Sequence, residues 1–243
     1  MTQNIYDDAG FFKNYSQLPR STQGLAGAPE WPKLRALLPP LAGMRVLDLG
    51  CGFGWFARWA RENGAAHVVG VDISDRMLAR ARRDTEDQAI EYFCADLERY
   101  VPAPGVFDLV YSSLAFHYLE NLDRLLADVH NALVPGGRLV FSVEHPLMTA
   151  PANPGWSTDS AGRSVWPVEG YLDEGLRSTD WLAEGVIKRH RTIGTYLNLL
   201  IRVGFSIRNV EEWGPSLEQV VERPDWKVER ERPMFLLVDC EAR

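Results

Sequence analysis

Apolar positions along the chain fall into short β-rich runs separated by stretches of helical period. Arg45 to Leu49, His67 to Asp72, Ile90 to Cys94, Phe107 to Ser112 and Arg138 to Val143 read as five successive strands. Between them, Trp55 to Asn63 reads as a helix with Gly64 as its C-cap, and Ser74 caps a second helix running to Asp84. Leu122, Leu125, Leu126, Val129, Ala132 and Leu133 repeat at helical spacing over residues 121–133, and Pro135-Gly136-Gly137 turns the chain after them. The period returns at Ile193, Tyr196, Leu197 and Leu200 and ends at Gly204. Phe205 to Val210 and Met234 to Asp239 are the last two strands, with a short helix and loop over Pro215 to Arg232.

Strands alternating with helices predict a doubly wound, mainly parallel sheet with helices on both faces. The final pair lacks a long crossover helix, so the last strand is expected to run antiparallel. That gives an α/β fold of seven strands. Residues 1–40 form an N-terminal arm and a helix (Trp31 to Leu38), placed to cap the site. Residues 41–145 form the core, 146–190 an insertion, and 191–243 complete the domain. The insertion is rich in proline and glycine and carries Trp156, Trp166, Tyr171 and Trp181. It suits a lid over an apolar, aromatic or cationic ligand, with a satellite core beneath a long loop as the alternative.

With 243 residues and 46% hydrophobic content, the chain has enough material for one full core. Its net charge of −7 argues against a large nucleic-acid footprint. The three cysteines, Cys51, Cys94 and Cys240, are sparse and form no C-x-x-C, which speaks against a metal or redox motif. Met1 to Gly10 contains no apolar run, and no stretch nears the ~18 apolar residues of a membrane helix. A cytoplasmic protein, monomeric or homodimeric, is expected.

The informative stretch is Val46-Leu47-Asp48-Leu49-Gly50-Cys51-Gly52-Phe53-Gly54. A strand that feeds a glycine turn and a helix N-terminus brings backbone N–H groups close to a ligand. Asp72 ends the next strand, 22 residues after Gly50, where a carboxylate can accept bonds from ribose hydroxyls. The dinucleotide spacing fails, because Trp55 occupies the third glycine place. Asp48 would repel a pyrophosphate but attract an ammonium, such as the amino group of S-adenosylmethionine (AdoMet). Taken alone, the glycine turn could be only a turn, and Asp48 a capping or salt-bridging residue.

Asp48 to Gly54 resembles motif I of the class I AdoMet-dependent methyltransferases, and the wider pattern resembles the branch that includes ubiquinone and menaquinone methyltransferases. Cys94-Ala95-Asp96-Leu97, Phe107-Asp108-Leu109-Val110 with the following Ser112 to Leu119, and Leu133 to Leu139 are similar to the motifs that follow. The resemblance spans roughly residues 42–145 and implies a Rossmann-like fold with AdoMet as cofactor. It implies ribose contact at Asp72 and adenine contact at Asp96. The expected cofactor set is Asp48, Gly50, Cys51, Gly52, Asp72, Ile73, Asp96, Leu97, Ser112 and Ser113, joined by Tyr15 and Arg20 from the arm; Tyr6 is placed to reach the same end.

Methyl transfer from a sulfonium is an in-line displacement in which alignment supplies much of the rate, and a base is needed only if the acceptor must lose a proton. His117 and His145 are the base candidates, each of which also suits a structural role. Glu144 alternates with His145, so only one of the two is expected to face the pocket. Lys188-Arg189-His190-Arg191 reads as a surface basic cluster, with an anion site as the alternative. The Asn/Asp-Pro-Pro-Tyr/Phe signature of nucleic-acid base methylation is missing after strand four. A small-molecule acceptor is therefore expected. A non-catalytic AdoMet-binding module and, less well supported, a nicotinamide-dependent oxidoreductase stand as alternatives.

Overall fold

In a computed structural model, which describes residues 3–243, the arm folds as α1 (Ala9–Tyr15) and α2 (Pro19–Thr22), followed by α3 (Trp31–Ala36). The first two residues of the expected arm lie outside the described residues. The core then runs β1 (Arg45–Leu49), α4 (Trp55–Glu62), β2 (His67–Asp72), α5 (Asp75–Arg83), β3 (Ile90–Cys94), β4 (Phe107–Ser113), α6 (Leu122–Ala132) and β5 (Leu133–Glu144). Beyond it come α7 (Pro146–Thr149), β6 (Ser157–Thr158), β7 (Ser164–Val165), β8 (Gly175–Trp181) and β9 (Ala183–His190). The chain closes with α8 (Ile193–Arg202), β10 (Phe205–Trp213), α9 (Leu217–Glu222) and β11 (Phe235–Ala242).

Seven strands form one sheet in the order β10-β11-β5-β4-β1-β2-β3. β1 to β5 pair in parallel, while β11 runs antiparallel to both β5 and β10. The chain leaves β1 toward β3 on one side and resumes at β4 on the other. That reversal opens a crevice beyond the C-terminal ends of β1 and β4, where open α/β sheets take ligands. Alternation along β1 divides its side chains between two apolar layers. Leu47 and Leu49 join the layer under α6 and α8, and Val46 joins Trp31, Phe56 and Leu109 under α3 and α4.

Two local expectations are revised. β5 begins at Leu133, not Arg138, and its pairing with β4 jumps from Phe107↔Leu133 to Leu109↔Arg138. Pro135-Gly136-Gly137 is thus looped out within a continuing strand. The insertion is more regular than its composition suggests: β8 and β9 form an antiparallel hairpin, and β6 and β7 form a short ribbon. Hairpin β8–β9 is hidden in sequence because its exposed strand β8 alternates with few branched residues.

Candidate active site

The turn after β1 holds Gly50, Gly52 and Gly54, with φ of 76°, 53° and 72°. A side chain on Gly50 would put its Cβ 2.5 Å from the Ala115 Cβ, so the segments after β1 and β4 can lie together only with glycine there. At Gly52 the space above the backbone is open, and its N–H donates to Asp72 Oδ2 at 2.8 Å. The N–H of Ser74 donates to the other oxygen of Asp72 at 2.9 Å. Burial nevertheless pushes the Asp72 carboxyl above its ordinary range.

Asp48 differs. It is 2% exposed, and its Oδ2 has no hydrogen-bond partner. Burial first, then the nearby charge of Asp72, pushes its carboxyl well up. A buried acceptor without a donor is costly unless a ligand completes it.

These groups line two adjoining cavities. The larger, about 340 Å³, is bordered by Gly50, Gly52, Asp72, Ile73, Asp96, Leu97 and Ser113 on the sheet side. The smaller, about 100 Å³, is lined by Asp48 and Cys51; Gly50, Gly52, Ser113, Tyr15 and Arg20 border both. The Cys51 thiol is pushed well up by burial, which fits a space-filling residue, not a nucleophile. Ser112 is a correction: it is fully buried and donates its hydroxyl to Leu49 O at 2.8 Å, bridging β4 to β1 outside either cavity lining.

The arm closes one wall. Asp8 caps α1, and the fully buried Phe11 fixes the helix against the domain. Tyr6, Tyr15 and Arg20 therefore reach the cavity. Arg20 Nη2 donates to both oxygens of the buried Glu30, at 3.1 and 3.2 Å. Asp7 Oδ1 accepts from Ser74 Oγ at 2.6 Å and ties the arm to the N-terminus of α5.

His117 lines the larger cavity, where burial lowers its imidazole to about 4, so it is neutral at physiological pH. His145 does not line the cavity. Its Nδ1 accepts from Leu147 N at 3.1 Å, capping α7, and its Nε2 lies 2.9 Å from Glu212 Oε1. Of the alternating pair, Glu144 is the one that faces the cavity, and His145 is corrected to a structural residue.

The expected surface basic cluster is also corrected. On β9, Lys188 and His190 are buried. Lys188 pairs with Glu144 at 2.6 Å, and His190 bridges Thr149 Oγ1 and Tyr171 O at 2.9 Å each. Strand alternation separates neighbours that sequence groups together. Only Trp181 of the insertion's aromatics lines the cavity. Trp156 and Trp166 pack edge to face, and the guanidinium of Arg232 lies over both rings. Sequence reading missed Met148, Met234 and Phe235 in the wall, as well as the Lys188 partner of Glu144. These come from three separate segments, and no local spacing announces them.

An open α/β sheet with a glycine turn and successive acidic strand ends at its topological switch defines a Rossmann-like enzyme built for an adenosyl ligand. The family described as "Methyltransferase domain" matches residues 47–141, the stretch from β1 to β5. The S-adenosylmethionine dependent methyltransferase of Mesorhizobium loti is 56% identical, with a TM-score of 0.87 over 90% of this chain and 100% of that one. An uncharacterized protein of Haemophilus influenzae is 34% identical over 97% of this chain and 95% of its own length. The malonyl-[acyl-carrier protein] O-methyltransferase of Pectobacterium atrosepticum is 35% identical over 55% of this chain, a match that spans 49% of that protein. The chain belongs to the S-adenosylmethionine-dependent methyltransferases, and AdoMet is its cofactor. Among the described residues no helix is long and apolar enough to cross a membrane.

Proposed function

We propose that the two cavities form one continuous site in which AdoMet lies along the sheet edge and a small-molecule acceptor meets it beside His117, Tyr118 and Glu144. The observation that carries this reading is the unpartnered Asp48 Oδ2, buried beside the open glycine turn. An ammonium supplies the missing donor, and the amino group of AdoMet fits that need. Asp72 would take the ribose hydroxyls, since each carboxylate oxygen keeps lone pairs beyond the one N–H bond it accepts. Asp96, Leu97 and Ile73 would border the adenine, and Arg20 with Tyr15 the carboxylate end. AdoMet supplies an electrophilic methyl group on a sulfonium.

The chain's own share of the work is alignment and exclusion of water. Tyr6 and Trp181 close the cavity from the arm and the hairpin. A cavity of about 340 Å³ suits a small acceptor. Calorimetric titration with AdoMet, S-adenosylhomocysteine and NAD tests the reading. Micromolar binding of the first two, weakened about 10- to 100-fold in Asp72→Asn, is expected from the loss of a charged acceptor worth ~1–3 kcal/mol. Unchanged affinity in the folded variant would overturn the assignment of Asp72.

A further inference from the structure

We infer that the methyl acceptor is an amine, held by Glu144 within a wall of aromatic rings; this rests on the proposed AdoMet site. The cavity is lined by three carboxylates, Asp72, Asp96 and Glu144, and by one cation among the described residues, Arg20. Asp72 and Asp96 lie at the strand ends proposed for ribose and adenine. Glu144 alone remains on the acceptor side.

Glu144 is the member of its ion pair that reaches the cavity. Its side chain is 19% exposed, against 6% for Lys188. Tyr6, Tyr15, Tyr118 and Trp181 line the same cavity. Tyr6 meets Tyr15 at 5.2 Å and Tyr118 at 6.1 Å, both edge to face, and Tyr15 meets Trp181 edge to face at 6.3 Å. The rings form a packed aromatic wall, and aromatic faces beside a carboxylate recognise ammonium groups. Behind the lining one such group is already held: Lys188 Nζ lies 5.2 Å from the centre of the Trp181 ring and 2.6 Å from Glu144 Oε1.

Other acceptor classes fit less well. A carboxylate acceptor needs a cation on its own side, and Arg20, whose Nη2 serves Glu30, stands at the end proposed for the carboxylate of AdoMet. An alcohol or an acidic carbon needs a base strong enough to take its proton. His117 is lowered to about 4, and Glu144 is lowered against its burial, with the charge and hydrogen bond of Lys188 favouring the carboxylate, so neither is a strong base. An amine acceptor, held as an ammonium, gives one proton to water before attack. The lone pair so freed forms the N–C bond as the methyl C–S bond breaks and that electron pair returns to sulfur. The product is again an ammonium, the charge that Glu144 holds.

Three acceptors of matched shape separate the classes: 2-phenylethylamine, 2-phenylethanol and phenylacetate, each incubated with the full chain and methyl-labelled AdoMet. Label should pass to the amine at least about tenfold faster than to the other two, and the amine should bind calorimetrically to protein saturated with S-adenosylhomocysteine. E144Q should weaken amine binding about tenfold while AdoMet affinity stays within about twofold. The double variant E144Q/K188M should do the same without leaving Lys188 buried and unpaired. Transfer to the carboxylate or alcohol in preference to the amine overturns the proposal. So does an absence of amine binding to the loaded protein, or unchanged amine binding in both variants. Wild-type protein that fails to bind AdoMet marks instead a failure of the cofactor site itself.

Discussion

Asp48 and Asp72 stand near the ends of adjacent parallel strands, and burial together with the charge of Asp72 raises the Asp48 carboxyl, yet only Asp72 is satisfied by the fold. Asp72 takes the N–H groups of Gly52 and Ser74, whereas Asp48 Oδ2 takes none. One carboxylate shapes the site and the other waits for a donor.

Asp48→Asn therefore separates stability from binding. A carboxyl raised in the folded state holds protons that the unfolded chain releases, so the free protein loses stability as pH rises from 3.8 through the raised value. Removing the charge should stabilise the free protein at neutral pH by about 1–3 kcal/mol while weakening AdoMet by about tenfold or more. Chemical denaturation with and without AdoMet measures both. A variant less stable than wild type, with unchanged affinity, contradicts this account.

Gly50 and Gly136 have nearly the same backbone angle, φ of 76° and 79°, but different surroundings. Gly136→Ala meets nothing within 4 Å and should cost about 1–2 kcal/mol from conformation alone. Gly50→Ala adds the Ala115 collision, for about 1–3 kcal/mol more, and should reduce AdoMet binding as well. Paired melting curves and titrations check the difference, and equal costs at the two sites would be the adverse result.

His117 should give the fold an acid-sensitive element. Its folded value, about 4, lies below the unfolded 6.5, mainly through burial, with Lys188 and Arg191 opposing the nearby Glu144. The neutral ring's contribution is then complete above 6.5 and is lost as pH falls toward about 4. At ~1.4 kcal/mol per unit, about 2 kcal/mol should vanish between about pH 7 and about pH 5. His117→Gln should flatten that slope in denaturant titrations, and a slope left unchanged counts against it.

The arm's tie to α5 should govern how long the cofactor stays. Asp7→Ala removes the bond to Ser74 Oγ, and Asp7 is held below the usual carboxylate range by that bond and its neighbours. AdoMet release measured by stopped-flow should quicken about 5- to 30-fold for a loss of ~1–2 kcal/mol, with association little altered. Release at the wild-type rate would show that the arm closes the cavity without gating it.

His145→Asn should lower stability without moving AdoMet affinity, since the ring caps α7 and meets Glu212 outside the cavity. Its measurement is a melting curve beside a titration, and a large loss of affinity would restore it to the site.

Much of this was written in local sequence. Strand runs bounded by glycine, the cap at Ser74 and the period through α6 are short-range signals, and the strands named from them lie within a few residues of those observed. The acidic strand ends and the glycine turn could be read because β1 and β2 deliver Asp48 and Asp72 to one sheet edge by parallel topology alone. Tertiary structure decided the rest. Alternation on β9 buried Lys188 and His190, which sequence groups with surface arginines. Ser112 and Ser113 were separated by a single step of the pleat, and Glu144 faced the cavity while His145 turned to cap a helix. The acceptor wall joins the arm, the turn after β4, the end of β5 and hairpin β8–β9. Which side chains meet there depends on packing between segments far apart in the chain, and no local period records that.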